Sequence, residues 1–307
     1  TITFRVNKDL VVLIKSLYYN IVAILGKFSI LLAIASCAEG LENIDGHSNH
    51  KRPLVVTTIK PLAIIAKAAL GDHAKVEFLM NSNQSAHDFT LSISDIQKLN
   101  HARAVIMLSD QHEPSLAKSI VNLKSVSIIK ILGLPAIHNQ RKAPKGGKLD
   151  FSDPHVWLDP NKANKIANAI QTEFGLVPTD IITSEHIARL AASLDVVKDR
   201  TYLTHHDMLG HFTEAFDLAP GLTLRDSGGK PKGARSQYKL REKANDIKAS
   251  CLFVDQYYFG QDAILTAVAI NVSTKNLDSL GIGVPLSNNG YAYFIDDFVS
   301  QFKACFD

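Results

Sequence analysis

Cysteine is scarce. The 307-residue chain has three, Cys37, Cys251 and Cys305, too few for a disulfide scaffold and at no spacing that fits a CxxC zinc knuckle. An excess of one charge is missing too: 33 Lys and Arg face 30 Asp and Glu, a formal +3. No basic stripe dominates, which argues against a dedicated nucleic-acid-binding domain. Apolar residues are not in short supply, at 46%, and with so little net charge the chain is not mainly disordered. Long apolar runs are confined to the N-terminus, which excludes a polytopic membrane protein. There is no HExxH and no serine nucleophile elbow, so the common sequence signatures of zinc peptidases and α/β-hydrolases are lacking. What remains is length enough for one large domain or two lobes of roughly 100–150 residues each.

Residues 1–37 read as an export signal. Arg5, Lys8 and Lys15 precede the apolar run Phe28–Ser36 (FSILLAIAS), which exits through small residues. The other reading is an uncleaved anchor over Leu10–Ser36. Lys15 and Lys27 would then cost about 2.5–3.5 kcal/mol each near the bilayer centre. Ile34-Ala35-Ser36-Cys37 loosely matches the box before a lipidated cysteine, and cleavage near Ala35 or Ala38 is the alternative. Either way the body of the protein is expected to work outside the cytoplasm. Residues 38–52 form a polar leader without periodicity, whose His47 and His50 read as solvated linker residues.

From Pro53 strands and helices alternate. Leu54–Ile59, Val76–Met80, Ala104–Leu108 and Val126–Leu132 are strand-like. Pro61–Leu70 is a helix with proline at its first position, and Ser94 is expected to cap a helix over Asp95–Ala102. Gly133–Asp153, with two prolines and several lysines, reads as a long loop. Helical periodicity follows in Asn161–Phe174 and Glu185–Val197. A second α/β run starts at Tyr202 and includes Cys251–Asp255, Ala263–Val272 and a closing helix near Tyr291–Phe302. The pattern predicts an α/β fold of two lobes, each with a mostly parallel sheet and flanking helices. The boundaries fall at residues 53–180, a connecting helix over 181–201, and 202–307, with a cleft between the lobes. In an oxidising compartment Cys251 and Cys305 are placed to pair, stabilising by roughly 3–4 kcal/mol. Two buried thiols are the other reading.

Three histidines follow strand signals: His87 in SAHDF, His155 in DPHVWL and His206 in THHD. Loops after strand C-termini are where open α/β sheets bind ligands, and three imidazoles suit Zn²⁺. Spacing alone does not single them out from nine other histidines.

These segments resemble the cluster A-I (ZnuA-like) solute-binding proteins, the zinc-binding components of bacterial ABC uptake transporters. The resemblance rests on Lys60-Pro61, on His87-Asp88-Phe89-Thr90-Leu91 running to Ser94-Asp95, and on Asp153-Pro154-His155-Val156-Trp157-Leu158. His206-Asp207-Met208-Leu209-Gly210-His211-Phe212 and Leu277-Asp278-Ser279-Leu280-Gly281 complete it. It extends over nearly everything from Pro53 onward.

The resemblance implies that His87, His155 and His206 bind the metal, with Asp278 or water as fourth ligand. Asp88, Asp153 and Asp207 are candidates to orient the ligand histidines. Cys251 and Cys305 match the family's late cysteine pair. Strand alternation lets only one of His205 and His206 face the cleft, and the motif picks His206. His211 takes a position usually aromatic and is expected to be a packing residue. The implied activity is high-affinity Zn²⁺ capture in the periplasm by a monomer that delivers it to an ABC permease, with small rather than large domain motion and no catalysis. Mn²⁺ binding, a metal-binding adhesin of the same fold and a mononuclear zinc hydrolase are the alternatives. Two departures stand out. The segment before Asp153 is basic rather than His-rich, with His138 its one histidine, and the stretch between His155 and His206 is shorter than in the family.

Overall fold

Alternating apolar residues build two matching sheets. The computed structural model describes residues 52–80, 91–138, 153–255 and 260–307. The N-terminal lobe runs β1 (Leu54–Thr57), α1 (Lys60–Leu70), β2 (Lys75–Phe78), α2 (Ile93–His101), β3 (Ala104–Met107), α3 (Pro114–Ile120), β4 (Ser127–Lys130) and α4 (Pro135–His138). Helices α5 (Pro160–Glu173) and α6 (Ser184–Leu194) follow. The C-terminal lobe runs β5 (Leu203–His206), α7 (Gly210–Ala215), β6 (Leu222–Arg225), α8 (Ala234–Asp246), β7 (Cys251–Asp255), α9 (Gln261–Ala269), β8 (Ser273–Leu277) and α10 (Gly290–Lys303). Each sheet is four-stranded and wholly parallel, ordered β2-β1-β3-β4 and β6-β5-β7-β8. The expected two-lobed α/β architecture is present.

The alternation sorts side chains by face. In β1, Val55 joins the inner core while Val56 faces the outer helices with Val105 and Met107. In β7, Cys251 and Phe253 point inward, and Leu252 and Val254 outward. The inner core is shared. Ile64 and Ile106 of the first lobe are continuous with Phe212, Phe253, Phe294 and Phe302 of the second. Helix α10 is the wedge. Its buried Tyr291, Phe294, Ile295, Phe298, Val299 and Phe302 recur at helical spacing, and it packs on α1, α6 and β8. Opening the lobes widely would expose this apolar surface, at about 25 cal/mol per Å².

Cys251, at the start of β7, is bonded to Cys305 just beyond α10, with Cα atoms 5.7 Å apart. Gly281, closing the Leu277–Gly281 motif, has φ +61°. A Cβ there would stand 2.7 Å from Phe294 and 2.8 Å from Ile64, so the loop after β8 lies flat on the shared core only with glycine.

Local corrections follow from capping and polarity. Helix α2 is capped by Ser92, not Ser94: Ser92 Oγ accepts from the Asp95 N–H, and Asp95 accepts from the Ser92 N–H. Part of the expected loop is helical, as α4. Strand β6 and helix α8 were not anticipated. Helix α8 buries only Ala244, so it lacks the apolar stripe that betrays a helix in sequence.

Candidate metal centre

The end of β5 and the segment before Val156–Leu158 bring two of the expected histidines together, although His155 follows no strand among the described residues. His155 sits in an irregular segment before the single turn Val156–Leu158 and is buried; His206 ends β5 and is half-buried. Their Nε2 atoms are 3.3 Å apart, with ring centroids at 5.2 Å. Two nitrogens held about 2.0–2.1 Å from one tetrahedral zinc ion stand about 3.3 Å apart.

Asp153 orients His155. Its Oδ1 accepts from His155 Nδ1–H at 2.8 Å and from the His155 backbone N–H at 3.0 Å. That proton on Nδ1 leaves the Nε2 lone pair of His155 for the neighbour or a cation. Burial opposes ionisation of Asp153, but the hydrogen bonds from the His155 ring and backbone outweigh it and hold the carboxyl well below the usual range. Trp157 braces the other side. It meets the His155 ring edge-on at 5.2 Å, its Nε1–H donates to the Ser279 carbonyl at 2.8 Å, and its own carbonyl accepts from Tyr291 Oη at 2.9 Å.

Asp278 is buried in the loop after β8. Its carboxylate accepts from the N–H groups of Leu280 at 3.1 Å and Ile282 at 2.7 Å. Lys60, from the Lys-Pro turn, donates to the Ile282 carbonyl; burial lowers its pKa while Asp278 works against that. Asp207 is exposed in the turn after β5. His87 and Asp88 lie outside the described residues. Among the described residues, no three His, Cys, Asp or Glu side chains stand together as a metal cluster.

His205 faces away from His206, as alternation requires. It is fully buried, with Nε2 3.1 Å from Asp262 Oδ1, and Asp262 Oδ2 accepts from Arg225 Nε at 3.0 Å. His211 is a correction. It is buried, but as a polar group, its ring nitrogens 2.9 Å from Lys162 Nζ and 3.2 Å from the Asp153 carbonyl. Asp255 was overlooked. It ends β7 in register with Leu277, accepts from Ser279 Oγ at 2.9 Å, and lies on the strand beside that of His206. Its place at a strand end was the signal.

Residues 55–178 match the family described as the periplasmic zinc-uptake complex component A, ZnuA. The high-affinity zinc uptake system protein ZnuA of Yersinia pestis is 26% identical over 289 residues, covering 82% of this chain and 90% of that protein. Over these stretches the chain is similar to ZnuA proteins. Its fold is also that of two solved structures, each 18% identical. The periplasmic zinc-binding protein TroA of Treponema pallidum has a TM-score of 0.68, covering 83% of this chain and 99% of that one. The laminin-binding protein Lmb of Streptococcus agalactiae, described as having adhesin and metal-transporting activity, has a TM-score of 0.69, covering 83% and 100%.

Proposed function

We propose that this ZnuA-like chain captures Zn²⁺ between its lobes and delivers it to an ABC-type permease. The observation that supports this best is the convergence of His155 and His206, one braced by Asp153, at the nitrogen spacing of a shared tetrahedral ion. In this reading His87 supplies a third imidazole and Asp278 or water the fourth ligand. Nitrogen-rich coordination favours Zn²⁺ over Mn²⁺, which prefers oxygen donors. The work is binding, not catalysis, as with the uptake proteins to which the chain is similar. Its place is the periplasm, free or held through Cys37. The Cys251–Cys305 bond fits an oxidising compartment. The protein acts as a monomer, and the shared core limits its lobes to small movements.

The test is competition for Zn²⁺ against a chromogenic chelator, with bound metal counted by elemental analysis. One tightly held zinc per chain, with Mn²⁺ far weaker, is expected. Equal or tighter Mn²⁺ binding would reassign the cargo, and no tight binding of either would overturn the reading.

A further inference from the structure

Lys162 and His211 have no part in the family motifs as metal ligands, yet both are buried, at 3% and 4% exposure. They come from different places. Lys162 lies in the first turn of α5, which packs on α1 of the N-terminal lobe. His211 lies in α7, five residues beyond His206. Lys162 Nζ reaches Asp159 Oδ2 at 3.0 Å, Glu214 Oε2 at 3.7 Å and His211 Nδ1 at 2.9 Å. On the other side of the ring, His211 Nε2 is 3.2 Å from the Asp153 carbonyl oxygen.

Donor arithmetic fixes the ring. A lysine ammonium only donates, so His211 Nδ1 accepts; a backbone carbonyl only accepts, so Nε2 carries the proton. His211 is thus neutral, with one tautomer imposed from both sides. A doubly protonated ring would turn N–H against ammonium. A phenylalanine would leave the ammonium and the carbonyl each short of a partner in a buried place.

We propose that Lys162 and His211 form a latch between the lobes that positions the two metal-binding imidazoles. His211 holds the main chain of Asp153, whose carboxylate in turn orients His155. The segment that carries His211 also carries His206. One buried bond pair therefore links the supports of both imidazoles and keeps the 3.3 Å spacing before any ion arrives. Both are positioning residues, acting on the ion only through Asp153 and the β5–α7 segment. The inference rests on the zinc-binding reading above, and it goes further in assigning these two side chains the task of slowing release.

The experiment mixes zinc-loaded full-length protein with excess chelator in a stopped-flow instrument. His211→Phe is expected to release zinc about tenfold faster or more, in the range seen when outer partners of a ligand are lost. His211→Gln offers an oxygen to Lys162 and an N–H to the carbonyl, and should return release to within about twofold of the native rate. Native melting with native release in His211→Phe would overturn the latch. Faster release equally in both variants would reduce the site to simple packing and overturn it as well. If His211→Phe does not fold, ¹⁵N-histidine NMR of the unmutated protein decides: Nε2–H at His211 is expected, and Nδ1–H rejects the proposal. Failure of the unmutated protein to bind zinc would instead sink the parent reading, so the two failures are distinct.

Discussion

Glu113 carries a pH dependence that the structure makes quantitative. It precedes α3, at the carboxyl end of β3, and is buried, with the Leu108 N–H donating to Oε2 at 2.6 Å. Burial pushes its carboxyl up from 4.5 to about 7, and the backbone bonds offset only part of that. The unfolded chain releases this proton near 4.5, the folded chain near 7. The stabilising effect of the protonated form is complete below about 4.5 and is lost as pH rises to about 7. At about 1.4 kcal/mol for each pH unit, the loss comes to about 3 kcal/mol. Glu113→Gln keeps an oxygen for the Leu108 N–H and never ionises. Urea unfolding at pH 5, 6, 7 and 8 should therefore show the variant gaining on the native protein step by step, by about 2.5 kcal/mol at pH 8 relative to pH 5, where part of the loss has already occurred. Histidines titrate in the same window but are common to both proteins, so the difference between the curves isolates Glu113. Parallel curves would refute the reasoning, because a carboxyl that ionises equally easily in both states has no such linkage.

Four other variants test the site and its frame. His155→Ala and His206→Ala should each weaken zinc binding by more than the 10–100-fold typical of losing an outer partner, measured by isothermal titration; unchanged affinity would remove that residue from the centre. Trp157→Phe leaves the Ser279 carbonyl without its buried donor and should cost about 1–3 kcal/mol in chemical denaturation. Because Trp157 is the chain's one tryptophan and touches His155, zinc should also change its fluorescence in the unmutated protein; an unchanged spectrum with zinc bound would count against His155. Replacing Cys251 and Cys305 together by alanine opens a loop with a sequence separation of 54 and should lower stability by about 4 kcal/mol. A loss under about 1 kcal/mol would mean that α10 is held by its aromatic contacts and not by the cross-link.

How far the sequence disclosed the site depends on the scale at which each interaction is encoded. Strands β1 and β7 were legible because their alternation, Val55 in and Val56 out, Phe253 in and Val254 out, is a local signal with a fixed period. The same period says only that one of His205 and His206 faces the cleft; the family motif picks His206, and the structure puts His205 on Asp262. Asp153 beside His155 was legible because two residues is within reach of a side chain turning back on its own backbone. Helix α8 escaped because a helix that buries one alanine writes no stripe. His211 escaped for a deeper reason. Its partners lie 49 and 58 residues earlier in the chain, so nothing near it distinguishes a polar ring bonded on both sides from an aromatic ring packed in the core. A family motif names residue types at positions; it does not say that a histidine in place of an aromatic needs a lysine and a carbonyl to meet it. That need became visible only when the fold brought α5, α7 and the Asp153 segment together. The burial that makes those bonds obligatory also makes them able to hold two imidazoles 3.3 Å apart.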